Sequence, residues 1–120
     1  MLANTAPKPT LAIDFDGVLC DYRLGWQGPD KLGEPVPGAA DFVRRAMPVF
    51  DVVVFSARAR HDSALPAMRV WLAQHGFPPL PITATKPPAF LTIDDRAMLF
   101  TGIWPNPDEL LQFRTWYEEA

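Results

Sequence analysis

The sequence predicts an α/β fold: a three-layer α/β/α, Rossmann-like parallel sheet with helices on both faces. Three observations carry this. Apolar runs alternate with amphipathic segments in the order β-α-β-α-β-β-α, the pattern of a parallel sheet covered by helices. The runs Thr10-Leu11-Ala12-Ile13, Asp51-Val52-Val53-Val54-Phe55 and Phe90-Leu91-Thr92-Ile93 lack a period of two. Such runs suit strands buried on both faces. Each is followed by short polar residues: Asp14 and Asp16, Ser56, and Asp94 and Asp95.

Taken in order, residues 1–9 hold Pro7 and Pro9 and read as a flexible tail before a single domain over 10–120. The first strand is Thr10–Ile13. Residues 18–36 contain three glycines and two prolines around Tyr22 and Trp26, and read as a long flap. Pro37 opens a helix over Gly38–Met47, with Phe42, Val43 and Ala46 on its apolar side; Pro48 stops it. The second strand, Asp51–Phe55, ends at Ser56-Ala57-Arg58. Asp62 or Ser63 can cap a helix over Ala64–His75, with Met68, Val70, Trp71 and Leu72 apolar and Gly76 at its end. Leu80–Ala84, hedged by prolines, reads as an edge strand. Phe90–Ile93 is the next strand, and Met98–Trp104 a short fifth. Asn106-Pro107-Asp108-Glu109 resembles a capping box, and Leu110, Phe113 and Tyr117 recur at helical spacing after it.

Composition bounds the function. At 120 residues there is room for one core. Fourteen prolines, about twice ordinary usage, mark short elements and stiff connections. A net charge of −3 disfavours a nucleic-acid-coating role without excluding a nucleotide end as substrate. The lone cysteine, Cys20, precludes an internal disulfide and fits a reducing, cytoplasmic setting. No secretory leader or membrane span is expected. Asp outnumbers Glu ten to four, and four of those ten stand in the pairs Asp14/Asp16 and Asp94/Asp95.

In a parallel sheet the carboxyl ends of the strands share one rim, where ligands bind at the switch in strand order. Four carboxylates and a hydroxyl are therefore expected to converge. Carboxylates so placed raise one another's pKa unless a cation compensates. Oxygen ligands without sulfur or imidazole favour Mg²⁺, which keeps waters and a substrate phosphate in its shell. A carboxylate beside a metal-bound phosphate suggests phosphoryl transfer. Lys86, eight residues before Asp94, can reach over the rim and hold phosphate charge.

These residues resemble the haloacid-dehalogenase-like (HAD) phosphohydrolases. Asp14-Phe15-Asp16-Gly17-Val18 is similar to their first motif, and Val53-Val54-Phe55-Ser56 to the second. Lys86 stands where the third expects a lysine, and Ile93-Asp94-Asp95 is similar to the fourth. The resemblance covers residues 10–104. It implies an Mg²⁺-dependent phosphomonoesterase in which Asp14 is the nucleophile and forms an aspartyl-phosphate. Asp16 would be the general acid and base. The Asp14 carboxylate, the Asp16 main-chain carbonyl and Asp94 would ligate the metal, with Asp95 binding directly or through water. Ser56 and Lys86 would bind the phosphoryl group, assisted by main-chain N–H groups near Phe15 and Ala57. The endings Ser56-Ala57-Arg58 and Asp94-Asp95-Arg96 also resemble small phage- and bacteria-associated members and polynucleotide end-healing phosphatase domains.

Other polar residues have two readings. Arg58, Arg60 and Arg96 are candidate substrate contacts or ion-pair partners. Trp26 and Tyr22 either stack on a substrate or simply pack. Trp71, Trp104 and Trp116 are expected in the core. Only 39 residues separate Asp16 from Ser56, and 29 separate Ser56 from Lys86, so neither interval holds a cap domain. The expected substrate is a phosphorylated small molecule or the end of a nucleic acid or protein, with a homo-oligomer as an alternative source of a lid. Polynucleotide 3′-end phosphatase and non-catalytic phosphate or metal binding are the alternative functions.

Overall fold

A computed structural model describes residues 7–118. Residues 1–6, most of the expected tail, lie outside the described residues. A four-stranded, wholly parallel sheet forms the centre, its strands lying in the order Ile82–Thr83, Asp51–Phe55, Thr10–Asp14, Leu91–Ile93. The elements are β1 (Thr10–Asp14), α1 (Ala39–Ala46), β2 (Asp51–Phe55), a 3₁₀ turn (Ala57–Arg60), α2 (Ala64–Gln74), β3 (Ile82–Thr83), β4 (Leu91–Ile93) and α3 (Pro107–Leu110). This is an α/β fold of Rossmann-like layout. No described helix is long and apolar enough to cross a membrane.

Leu11 and Ile13 of β1 lie beside Val52 and Val54 of β2, and all four are buried in one core. Val43 and Ala46 of α1 and Met68, Trp71 and Leu72 of α2 close that core. Both helices cover the same face, as right-handed crossovers in one direction along the sheet require. The chain then returns across β2 and β1 to β4 through residues 84–90, without a helix.

The second helical layer of the expected three is not formed among the described residues. The segment after Asn106, expected to form the last helix, is one turn and buries no residue. Asn106 caps that turn, its side-chain oxygen accepting the Asp108 N–H at 3.1 Å. A helix this short has little stability without a surface to pack on. Leu110 and Phe113 are exposed, and Tyr117 instead turns back to β4. The expected fifth strand, Met98–Trp104, does not form. It pairs with no strand, and Gly102 bends it at φ +96°. Trp104 is accordingly exposed and Trp116 half-exposed; only Trp71 of the three lies in the core.

Smaller differences have local causes. Val70 faces solvent because Met68, Trp71 and Leu72 take the buried side of α2. Ser63 occupies the first cap position of α2, but its hydroxyl makes no capping bond. Phe42, expected on the apolar side of α1, is exposed at 38%, and the buried stripe of that helix is Ala39, Val43 and Ala46.

Candidate active site

Register brings the polar strand ends together. Asp14 pairs with Phe55 across β1 and β2, so Ser56 follows directly beside it. Ile13 pairs with Ile93 across β1 and β4, so Asp14 and Asp94 leave adjacent strands side by side. Strand order reverses between β1 and β4, because the chain runs from β1 out to β3 and then returns to the other side of β1. The acidic ends therefore sit at the switch point, where parallel sheets bind ligands.

Carboxylate oxygens of Asp14, Asp94 and Asp95 all lie within 4.8 Å of one another. Burial first, then a hydrogen bond that protonated Asp14 donates to Asp95 and the charges of Asp94 and Asp95, push the Asp14 carboxyl up to about 8, and the Phe15 N–H opposes the rise. That N–H donates to Asp14 Oδ1 at 2.9 Å. Asp94 is held below the usual range. Burial acts upward on it, but the Arg96 N–H, Asp95 and Lys86 outweigh burial. Lys86 Nζ lies 3.5 Å from Asp94 Oδ2, half-exposed at the rim, and 5.5 Å from the centre of the Phe55 ring.

The turn after β1 is built for close approach. Phe15 is fully buried, and its carbonyl accepts the N–H groups of Leu19 at 3.0 Å and Cys20 at 2.9 Å. Gly17 has φ +85°, and a Cβ there would collide with the Asp95 carboxylate. Only glycine combines that backbone with that contact.

Asp16 stands apart from the three-carboxylate group. Its carboxylate accepts two bonds from Arg58, Nε to Oδ2 at 3.1 Å and Nη2 to Oδ1 at 3.0 Å. Burial raises the Asp16 pKa and Arg58 draws it back down. Arg58 is itself buried, with 4% of its surface exposed. Its Nη1 faces the flap carbonyls of Gly28 at 2.6 Å, Pro29 at 3.0 Å and Lys31 at 3.4 Å. The Trp26 ring covers its guanidinium at 4.5 Å. All three nitrogens of Arg58 are thus engaged within the protein, and it clamps Asp16 to the flap. Its placement is that of an ion-pair partner, not a free substrate contact.

Trp26 is half-exposed and packs on Arg58. The flap is further tied by Trp71 Nε1–H to the Gly33 carbonyl at 2.7 Å and by Asp21 N–H to the Glu34 carbonyl at 2.7 Å. Between the flap and Asp16 lies a cavity of about 350 Å³, lined in part by Tyr22, Leu24, Gln27 and Arg58.

Ser56 is buried and caps the 3₁₀ turn that begins at Ala57, its Oγ accepting the Arg58 N–H at 3.2 Å. Its own O–H remains a donor. Arg60 is exposed at the end of that turn. Arg96 lies 3.5 Å from Glu118, an ion pair at the surface.

Two residues at the site were not anticipated from sequence. The Tyr117 hydroxyl donates to Asp95 Oδ2 at 2.8 Å, and Trp116 Nε1–H donates to the Gly17 carbonyl at 2.6 Å. Both lie about 100 positions beyond the first motif, where Tyr117 reads as part of a helix face and Trp116 as a core residue. Compared with known protein families, curated proteins and solved structures, the chain matches none.

Proposed function

We propose that the chain is a capless HAD-like, Mg²⁺-dependent phosphatase that hydrolyses a phosphomonoester through an aspartyl-phosphate on Asp14. The observation that carries this reading is the meeting of Asp14, Asp94 and Asp95 at the switch point of a parallel sheet. Three hard oxygen donors, without sulfur or imidazole, fit Mg²⁺. The upward push on Asp14 fits the same ion, since it marks a carboxylate lacking a compensating positive charge. Asp14, Asp94 and Asp95 would hold the metal, with the Asp16 main-chain carbonyl as the further ligand expected from the resemblance. When bound, Mg²⁺ offsets the repulsion between the Asp14 carboxylate and the phosphate dianion.

The protein's own groups then divide the work. A carboxylate oxygen of Asp14 attacks phosphorus, and the bond to the leaving oxygen breaks. Asp16 gives its proton to that oxygen. Burial favours the neutral form of Asp16 that this needs, while Arg58 fixes its direction and favours the ionised form that the second half needs. In the second half, ionised Asp16 takes a proton from water as the water attacks phosphorus. Phosphate leaves and the Asp14 carboxylate is restored. Ser56 and Lys86 neutralise the phosphoryl oxygens by hydrogen bond and charge. The Asp16 side of the site opens to the flap cavity, which suits a leaving group placed there.

Hydrolysis of an aryl phosphate tests the reading. Turnover is expected only with Mg²⁺, and Asp14→Asn should lower it by roughly 10³-fold or more. Absence of turnover by folded, Mg²⁺-loaded protein, with Mg²⁺ and phosphate still bound, would favour the non-catalytic alternative. Parallel assays on a 3′-phosphorylated oligonucleotide and on sugar phosphates separate end-healing from small-molecule hydrolysis.

A further inference from the structure

Residues 96–114 leave and return at one place. At their root, Tyr117 grips Asp95, Trp116 grips Gly17, and Arg96 faces Glu118. From Ala97 to Arg114 every residue except Pro105 is exposed, and Thr115, next to the clamps, is buried. The exposed side chains are large and apolar. Met98, Leu99, Phe100, Ile103, Trp104 and Leu111 are each 52% to 85% open. No charged residue occurs between Arg96 and Asp108.

Those six side chains expose on the order of 800 Å² of apolar surface, what one partner contributes to a standard stable interface. A monomer rarely leaves a patch of that size uncovered. The loop has no basic residue between Arg96 and Arg114, so nothing draws it to anionic lipid or nucleic acid. The uncharged apolar stretch 97–107 complements a copy of itself, and a two-fold axis presents the same patch from both subunits. We infer that loop 96–114 is the contact through which this chain forms a symmetric dimer with a second copy. Because its root holds Asp95 and Gly17, the interface begins at the rim of the acid cluster. The inference does not depend on the phosphatase reading.

Sedimentation velocity of the full chain over the micromolar range tests it. The expected species has twice the 13.4 kDa mass of one chain. Leu99→Glu and Trp104→Glu should each weaken the dimer by on the order of 100-fold while far-UV circular dichroism stays unchanged. Both sites are more than 80% exposed in the single chain, so neither change disturbs its core. Leu111→Lys, on the far arm of the loop, provides a third variant should one of these lose its fold. Wild-type protein that stays monomeric would overturn the proposal, as would dimers unaffected by all three variants. A monomer that floats with phosphatidylcholine vesicles would overturn it too, and would assign the loop to lipid.

Discussion

Replacing Arg58 with methionine removes one cation and leaves several groups without their partner. Asp16 loses both donors, and the carbonyls of Gly28, Pro29 and Lys31 lose theirs. The side chains of the pair are only 2% and 19% exposed, so water cannot replace those bonds well. Breaking a buried pair by deleting one partner costs about 3–5 kcal/mol. For a domain of this size that lowers Tm by more than about 10 °C. The cost should also depend on pH. Asp16 without Arg58 keeps the burial that raises its pKa and loses the partner that lowers it. Its folded-state pKa then stands further above the unfolded value, so stability falls as pH rises between the two. Arg58→Met should therefore be less destabilising at pH 5 than at pH 8. Adding Asp16→Asn should recover about 1–3 kcal/mol of the loss, read as coupling in a double-mutant cycle. Urea denaturation of the four proteins measures all of this. A loss below about 1 kcal/mol, or no coupling, would refute the clamp.

The metal-free protein should lose stability as pH rises from about 4 towards 8. Folded Asp14 holds its proton up to about 8, whereas the unfolded carboxyl releases it near 3.8, so the folded state binds more protons in that window. Mg²⁺ should flatten the dependence and release a proton on binding, as thermal melts and calorimetry in buffers of different ionisation enthalpy would show. Gly17→Ala should cost about 1–3 kcal/mol and weaken Mg²⁺ binding, because its Cβ meets the Asp95 carboxylate at a backbone angle unfavourable to alanine. Unchanged melting and unchanged Mg²⁺ affinity of that variant would show that Asp95 can move aside freely.

The central part of the fold was legible because several signals agree there. The apolar runs of β1, β2 and β4 end in Asp14, Ser56 and Asp94, and parallel register alone sets those ends side by side. The Arg58 clamp was not legible. Its partner lies 42 positions away, and sequence offers no measure of which acid a given arginine meets. The C-terminal part misled for a different reason. Leu110, Phe113 and Tyr117 keep helical spacing, but periodicity states only which face a helix would bury. Among the described residues no surface covers Leu110 or Phe113, and the turn stops at Leu110. Trp104 follows the same logic, its apolar ring placed where the single chain has no core.

Trapping the covalent intermediate tests the central claim most directly. The Mg²⁺-loaded protein is mixed with an aryl phosphate, quenched in acid during turnover, digested and examined by mass spectrometry. The account predicts a single phosphate ester of a carboxylate on the peptide containing Asp14, absent from Asp14→Asn. Turnover that continues in Asp14→Asn, or a phosphate on any other residue, would contradict it.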